Sequence, residues 1–310
     1  MTLFEPAYIK TFESGLLALK IEAACEALHN CTLCPRKCGV DRRTSEKGVC
    51  RTGVRARIVT YLPHFGEELP LRGTKGSGTI FFAYCNLLCN FCQNYHITHE
   101  TAGKEVSDDE LAGMMIALQD QGCHNISFVT PSHVVPQILS ALQIAVKKGL
   151  KIPLVYDTSA YDSIAALKLL EGIVDIYMPD FKFWNPETAE LTCKAKDYPE
   201  VARRAIIEMH RQVGDLVVNK EGLAERGLLI RHLAMPKGLA DTPRIMDFIA
   251  TKISPRSYVN IMPQYRPCGR SFEIPALAVP LRKKEFEAAL KDAEEAGLTR
   301  LEEQKTDFLL

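Results

Sequence analysis

Three cysteines in one short stretch of the chain have a spacing that suits an iron–sulfur cluster. Cys85, Cys89 and Cys92 follow the pattern Cys-x3-Cys-x2-Cys, on a predicted loop that leaves an apolar strand over residues 79–83. The four irons of a [4Fe–4S] cluster are ordinarily held by thiolates, so three thiolates leave one iron without a protein ligand. An open coordination position lets a metal act on a bound molecule instead of only bracing a fold or carrying electrons.

Two other interpretations of this loop are open. A zinc site would need a fourth ligand nearby, and His96 or His99 could supply it. The three cysteines could also be unconnected buried thiols. Phe91 lies directly before the third cysteine and Asn94 lies two residues after it. These two residues favour the cluster, and we predict that both lie against bound cofactors.

A second group of cysteines lies nearer the N-terminus. Cys31, Cys34, Cys38 and Cys50 have the spacing Cys-x2-Cys-x3-Cys-x11-Cys, with proline and glycine between them that keep the backbone irregular. Four thiolates can complete a tetrahedral Zn²⁺ site or hold an auxiliary iron–sulfur cluster, and unlinked thiols are the third alternative. The spacing does not decide which metal is bound. A closed four-thiolate site braces a fold or carries electrons and does not activate a substrate.

Composition narrows the class of protein. The chain has 310 residues, enough for one α/β barrel-like domain with a small appendage or for two domains. It has eleven cysteines and starts without a secretory pattern, which predicts metal ligands in a reducing cytoplasm rather than disulfides. Lys plus Arg and Asp plus Glu are both 38, which argues against nucleic-acid binding. No apolar run approaches ~20 residues, so we predict no membrane span.

Alternating strand and helix patterns predict the elements that must position these cysteines. The first thirty residues are predicted to be helical, with an apolar stripe from Leu17 to Leu28, and residues 55–63 to form a strand. Ser107 and Glu110 form a capping-box pattern at the start of a helix. The further predicted strands are 79–83, 126–130, 152–156, 173–178, 227–233 and 258–262, and the further helices are 108–121, 133–148, 161–171, 199–213, 242–252 and 281–296.

Six β/α units with mostly short connections predict an α/β fold with a parallel sheet. Because the count falls short of eight, we expect the sheet to curl into a partial (β/α)6 TIM-like barrel. The expected organisation is a small N-terminal helical and cysteine-rich metal-binding module over residues 1–75, followed by the barrel over residues 76–310.

Polar side chains lie at the predicted ends of five successive strands, where parallel α/β folds place their chemistry. Any one of them alone could be a helix cap or a surface group. Their joint appearance at successive strand ends predicts one site. The residues are Thr130, His133, Asp157, Ser159, Lys182, Arg231, Gln264, Tyr265 and Arg266.

These motifs together resemble the radical S-adenosylmethionine (SAM) superfamily, and within it an uncharacterised iron–sulfur protein branch similar to pyruvate formate-lyase activating enzymes. The resemblance covers most of the chain. It is carried by Cys31-x2-Cys34-Pro-Arg-x-Cys38, by the three-cysteine loop, and by segments 76–80, 125–133, 156–159, 179–182 and 263–267. It implies a [4Fe–4S] cluster whose open iron is chelated by the amino and carboxylate groups of SAM. Electron transfer from the cluster then gives methionine and a 5′-deoxyadenosyl radical.

The resemblance also implies roles for the strand-end residues. Thr130 and His133 lie where many relatives carry a Gly-Gly-Glu segment that receives the SAM amino group, and this chain has no Gly-Gly-Glu there. Asp157 and Ser159 match the segment that meets the ribose or methionine part of SAM. The full set expected to hold the cofactors is Phe91, Asn94, Thr130, His133, Asp157, Ser159, Arg231 and Gln264, and the set expected to act on substrate is Lys182, Tyr265 and Arg266.

The sequence therefore predicts a radical SAM enzyme that abstracts a hydrogen atom from its substrate. One hypothesis is the activation of a glycyl-radical enzyme, and a second is the radical modification of a small molecule or peptide. A third hypothesis, from outside enzymology, is an electron carrier or metal-sensing protein. The strand-end set argues against the third, because an electron carrier needs no substrate pocket. The expected partners are a reducing electron donor such as flavodoxin or ferredoxin and a protein or peptide substrate.

Overall fold

A computed structural model describes residues 4–44, 48–100 and 103–304 of the chain. Within these ranges the strands are β1 (Ala56–His64), β2 (Ser77–Phe82), β3 (Lys104–Val106), β4 (Ile126–Val129), β5 (Leu154–Thr158), β6 (Ile176–Pro179), β7 (Val217–Val218), β8 (Ala224–Leu233), β9 (Tyr258–Met262) and β10 (Arg300–Leu301). The helices are α1 (Ala7–Glu13), α2 (Leu16–Glu26), α3 (Leu69–Arg72), α4 (Asp108–Asp120), α5 (Val135–Lys147), α6 (Ile164–Leu170), α7 (Pro186–Cys193), α8 (Tyr198–Val213), α9 (Thr242–Phe248) and α10 (Lys283–Glu295).

The central sheet has the strand order β10-β9-β8-β6-β5-β4-β2-β1-β3, and β7 pairs with β8 off this path. The strands from β2 to β10 along this order are parallel to one another, whereas β1 is antiparallel to β2 and to β3. The sheet is not closed. The six predicted β/α units are confirmed, and the architecture is consistent with a partial TIM-like barrel.

Local sequence explains where the principal elements begin and what they bury. The capping box at α4 is confirmed, because the Ser107 hydroxyl accepts from the Glu110 N–H and the Glu110 carboxylate accepts from the Ser107 N–H. Every residue of β5 and β6 is buried, as expected for parallel strands that are covered on both faces. Phe82 on β2 and Phe128 on β4 pack together, with ring centroids 6.2 Å apart.

The N-terminal residues form two helices rather than one. Gly15 lies between α1 and α2 with φ at 79°, a left-handed conformation that interrupts a helix and that glycine adopts without strain. The predicted apolar stripe is retained in α2, where Leu17 and Ala24 are buried. Helix α5 also begins two residues later than predicted, because Pro131 to His133 form a short 3₁₀ turn.

Hydrogen bonds attach α1 to the loops that precede two parallel strands. The Ala7 N–H donates to Asp175 Oδ1 at 2.8 Å, and the Tyr8 hydroxyl donates to the Ile152 carbonyl at 2.9 Å. Strand β1 also lies before residue 76, and it pairs with β2 in the central sheet. The division of the chain at residue 75 stays a prediction. In the described part of the chain, no helix is both long and apolar enough to cross a bilayer.

Candidate active site

One cavity of about 410 Å³ is enclosed by residues from several of the parallel strands and from the cysteine loop. A volume of this size lies in the range of ligand-binding pockets. Among the predicted site residues, those lining it are Cys85, Phe91, Cys89, Cys92, Asn94, Thr130, Asp157, Ser159, Lys182, Arg231 and Gln264. The residues therefore meet as expected from the positions of strand ends in parallel α/β folds.

The cysteine loop is held in place by contacts with two other segments. The Asn90 N–H donates to the Thr192 carbonyl at 2.8 Å, at the end of α7. The Asn86 amide donates to the Tyr161 carbonyl at 2.7 Å, beyond β5. Burial raises the pKa values of the Cys85 and Cys92 thiols above the usual value for cysteine, and the neighbouring Cys89 adds to both shifts.

A network of buried charges forms one wall of the cavity. The Arg231 guanidinium donates through Nη2 to Asp157 Oδ1 at 2.5 Å and through Nε to Asp180 Oδ1 at 2.7 Å. Glu67 Oε2 lies 3.8 Å from Arg231 Nη1, and Lys182 Nζ donates to Asp180 Oδ2 at 2.6 Å. Both cations of this wall are therefore already paired with carboxylates.

These pairings shift the acidities of the paired groups in different directions. Burial alone would raise the pKa of Asp180, but Arg231 and Lys182 lower it below its usual value. Burial raises the pKa of Asp157 well above its usual value, and Arg231 opposes that shift. Burial would lower the pKa of Lys182, but Asp180 raises it, so Lys182 stays charged at neutral pH.

Comparison with known proteins decides the family. The sequence pattern of the radical SAM superfamily matches residues 79–219, which include the cysteine loop, most of β2, and strands β4, β5 and β6. An uncharacterized protein of Methanocaldococcus jannaschii is 34% identical over 292 residues, a match that spans 92% of this chain and 80% of that protein.

The chain belongs to the radical SAM superfamily. Membership implies a [4Fe–4S] cluster and SAM as cofactors, in agreement with the prediction from the cysteine spacing. The narrower branch similar to pyruvate formate-lyase activating enzymes stays a prediction.

The cavity fits the cofactors of a radical SAM protein. A cubane cluster places its thiolate ligands on separate irons, so three thiols at one cavity wall are suitable without converging on one point. Within residues 4–44, 48–100 and 103–304, no three His, Cys, Asp or Glu side chains are grouped closely enough to hold a single ion. The zinc alternative is disfavoured further because His96 pairs with Glu100 and His99 stacks on Tyr95, away from the cavity.

Ser159 Oγ is buried at the cavity without a hydrogen-bond partner in the described part of the chain, as expected where a polar ligand binds.

Three predicted site residues do not line this cavity. Tyr265 is buried behind Phe91, with its hydroxyl donating to the Leu277 carbonyl at 2.7 Å. Arg266 is exposed beyond β9. His133 is buried beside the smaller cavity of the N-terminal cysteines, where Nε2 donates to the Ala83 carbonyl at 3.0 Å. Burial, assisted by Arg42, lowers the pKa of His133 to about 3, so its ring is neutral.

Sequence reasoning missed three residues that line the cavity with charge. Asp180 lines the cavity and lies two residues before Lys182, in segment 179–182. Its closeness in sequence to a lysine predicted to act on substrate could have identified it as a site residue. His64 and Glu67 come from the end of β1 and the turn after it, before the barrel begins. No local pattern distinguishes them, because only tertiary folding brings the turn against Arg231.

The four N-terminal cysteines line a second, much smaller cavity. Its volume is about 10 Å³, and Arg42 and His133 also border it. Burial raises the pKa of the Cys34 thiol to about 12, with the other three thiols adding to the shift. Arg42 fixes this module to the barrel, because its guanidinium donates to the carbonyls of Thr52, Gly53 and His133 at 2.7, 3.0 and 2.8 Å.

Arg36 connects the same module to the cysteine loop. Its guanidinium donates to the Asn86 carbonyl at 2.9 Å and to the Lys194 carbonyl at 2.5 Å. It also donates to the Cys193 carbonyl at 3.3 Å and lies over the Tyr161 ring, 5.2 Å from the ring centroid. One side chain from the N-terminal module thus contacts the backbone of the cysteine loop and the backbone at the end of α7.

Proposed function

We propose that this chain is a radical SAM enzyme whose catalytic cluster is held by Cys85, Cys89 and Cys92. The single observation that carries the proposal is that these three thiols line the same cavity as the strand-end residues expected to hold SAM. When bound, the cluster and SAM supply a radical able to abstract a hydrogen atom from a substrate. The chain itself supplies position, electrostatics and exclusion of water.

The charged wall suggests how this chain would hold SAM. Arg231 and Lys182 are already paired, so neither is a free partner for the SAM carboxylate. Asp157 uses Oδ1 for Arg231, and its Oδ2 makes no hydrogen bond to another described residue, so that oxygen is available to a ribose hydroxyl. Ser159, with an unpartnered hydroxyl, is the second candidate contact. These two neighbours on β5 and just after it are the proposed core of the SAM site.

The charge balance of the cavity favours a particular class of substrate. Glu67, Asp157 and Asp180 contribute three carboxyl groups to the cavity, and both of its cations, Arg231 and Lys182, are already paired with these groups. A phosphorylated or otherwise anionic small molecule would meet no free positive charge in this wall. A peptide backbone or an amine would fit better, which favours protein glycine or peptide substrates, as in activation of a glycyl-radical enzyme. Radical modification of an uncharged small molecule is the alternative.

The proposed reaction also requires an electron from outside the chain. Reduction of the cluster by a flavodoxin- or ferredoxin-type protein is part of the proposal. Anaerobic reduction by such a donor should generate the reduced cluster, and SAM should then be consumed.

The deciding experiment is anaerobic reconstitution of the full chain with iron and sulfide. The reduced protein should give a [4Fe–4S]⁺ EPR signal that changes when SAM is added, and it should release 5′-deoxyadenosine. Cys89→Ala should abolish that release. Cys123→Ala is the matched control, because Cys123 is also a buried thiol but lies in neither cysteine group. Wild-type release of 5′-deoxyadenosine by the Cys89→Ala variant would refute the assignment.

We further infer that the N-terminal module binds a single Zn²⁺ rather than an auxiliary cluster. Its four thiols line one cavity of about 10 Å³. That volume is close to the space occupied by one water-sized sphere. In the described part of the chain these thiols are not yet grouped closely enough to hold an ion, so they would draw together around a single tetrahedral ion, whereas a cubane would need the loop to expand.

A further inference from the structure

Each of the three predicted cluster sulfurs has a hydrogen-bonding neighbour in this chain. The Leu87 N–H donates to Cys85 Sγ at 3.2 Å, and the Thr98 hydroxyl lies 3.4 Å from Cys92 Sγ. Cys89 Sγ lies 3.3 Å from the sulfur of Cys193. Hydrogen bonds to cluster sulfurs are one of the means by which a protein sets a reduction potential.

Cys193 is the last residue of α7, a helix that the six β/α units do not require. Its side chain is 0% exposed. Its position is fixed from two sides, because its carbonyl accepts from Arg36 and the preceding Thr192 carbonyl accepts from the Asn90 N–H of the cysteine loop. The contact between the two sulfurs is therefore built into the backbone packing.

The direction of this hydrogen bond follows from the state of Cys89. Between two thiols, either sulfur can donate. A cysteine that ligates iron is a thiolate and has no proton to give. In the cluster-bound protein, the donor of the hydrogen bond between the two sulfurs is therefore the Cys193 S–H.

We propose that Cys193 is a positioning residue that donates an S–H hydrogen bond to the Cys89 thiolate and raises the reduction potential of the catalytic cluster. This inference rests on the proposed function. Reduction adds negative charge to the cluster and its sulfurs. A donor aimed at one of those sulfurs stabilises the reduced form more than the oxidised form. The cluster should therefore accept an electron more readily than it would without Cys193.

The test is the midpoint potential of the reconstituted cluster, measured by EPR-monitored redox titration without SAM. Cys193→Ala and Cys193→Val both remove the S–H donor. Alanine also shortens the side chain, whereas valine keeps a side chain of similar size. Both should shift the midpoint to a more negative potential, with the iron content unchanged. Cys193→Ser retains a donor and should remain closer to the wild type. Cys268→Ala is the control, because the Cys268 thiol donates to the Phe91 carbonyl instead of to a ligand sulfur. The midpoint potential of the cluster in this variant should equal that of the wild type.

Equal potentials in the wild type and in both donor-free variants would overturn the inference. Loss of iron in both variants would also overturn it, because Cys193 would then be a ligand and not a donor. These outcomes are distinct from failure of the proposed function. That failure would appear in the wild type itself, as a protein with no cluster signal that responds to SAM.

Discussion

At the scale of single residues, the cavity is governed by one buried cation. Arg231 contacts the carboxylates of Asp157 and Asp180 and lies near that of Glu67. The sequence placed Arg231 among the residues expected to hold the cofactors, and in the structure its guanidinium is paired with carboxylates of the cavity wall. Removing one member of such a buried set leaves charges that water cannot compensate.

Arg231→Met is therefore expected to lower the free energy of unfolding by about 3–5 kcal/mol, the range for breaking a buried ion pair. Arg256→Met is the matched control: Arg256 also pairs with a carboxylate, that of Asp215, but its side chain is 79% exposed, against 16% for Arg231. An exposed pair contributes about 0–1 kcal/mol. Urea unfolding of the two variants measures both values. Equal losses would show that the wall is not held by its charges.

His64 should make the stability of the fold depend on pH. Its hydrogen bond to Glu67, at 2.9 Å, raises the pKa of the imidazole above the usual value of about 6.5. A group with a raised folded-state pKa contributes stability below its unfolded pKa and loses it as the pH rises through the folded pKa. His64→Gln should therefore destabilise the protein more at pH values below ~6.5 than in alkaline solution. Urea midpoints at several pH values test this, and a difference that grows with rising pH would contradict it.

At the scale of elements, the long periodic segments were predictable and the short ones were not. Six β/α units, the α4 capping box and the meeting of strand ends all followed from pattern. Strands β3 and β10 were missed because they have three and two residues, too few to show a period. Helix α7 lies in the insertion after β6 and has only eight residues. The cavity residues His64 and Glu67 were missed because their place depends on a contact with Arg231, far away in sequence.

Arg36 is predicted to be the side chain that couples the N-terminal module to the cysteine loop and to the end of α7. A lysine cannot reproduce its fork of hydrogen bonds or its stacking on Tyr161. Arg36→Lys should destabilise the protein by about 1–3 kcal/mol, the range for hydrogen bonds made by a charged group. Arg43→Lys is the control, because in the described ranges Arg43 pairs with the nearby Asp41 at the surface. Denaturant unfolding compares them, and an Arg36→Lys protein as stable as the control would exclude this coupling.

At the scale of the whole molecule, a short series of hydrogen bonds connects the two cysteine groups. Arg42 borders the N-terminal cavity and donates to the carbonyl of His133, and the His133 ring donates in turn to the carbonyl of Ala83. Ala83 lies two residues before Cys85, the first of the three cysteines in the cysteine loop. A filled N-terminal site would therefore support the end of β2 from behind, without a residue of its own in the catalytic cavity.

This arrangement predicts that the two sites can be emptied separately. Replacing Cys85, Cys89 and Cys92 together should remove the cluster and leave about one zinc ion per chain, since a closed four-thiolate site holds one ion. Cys34→Ser should lower the zinc content and the thermal stability, because the energy of binding a structural zinc is part of the folding energy. It should still allow a reconstituted cluster that responds to SAM. Elemental analysis and EPR of the two variants measure both metals. Iron in place of zinc in the triple variant would assign an auxiliary cluster to the N-terminal site, and absence of both metals would show that these four thiols bind none.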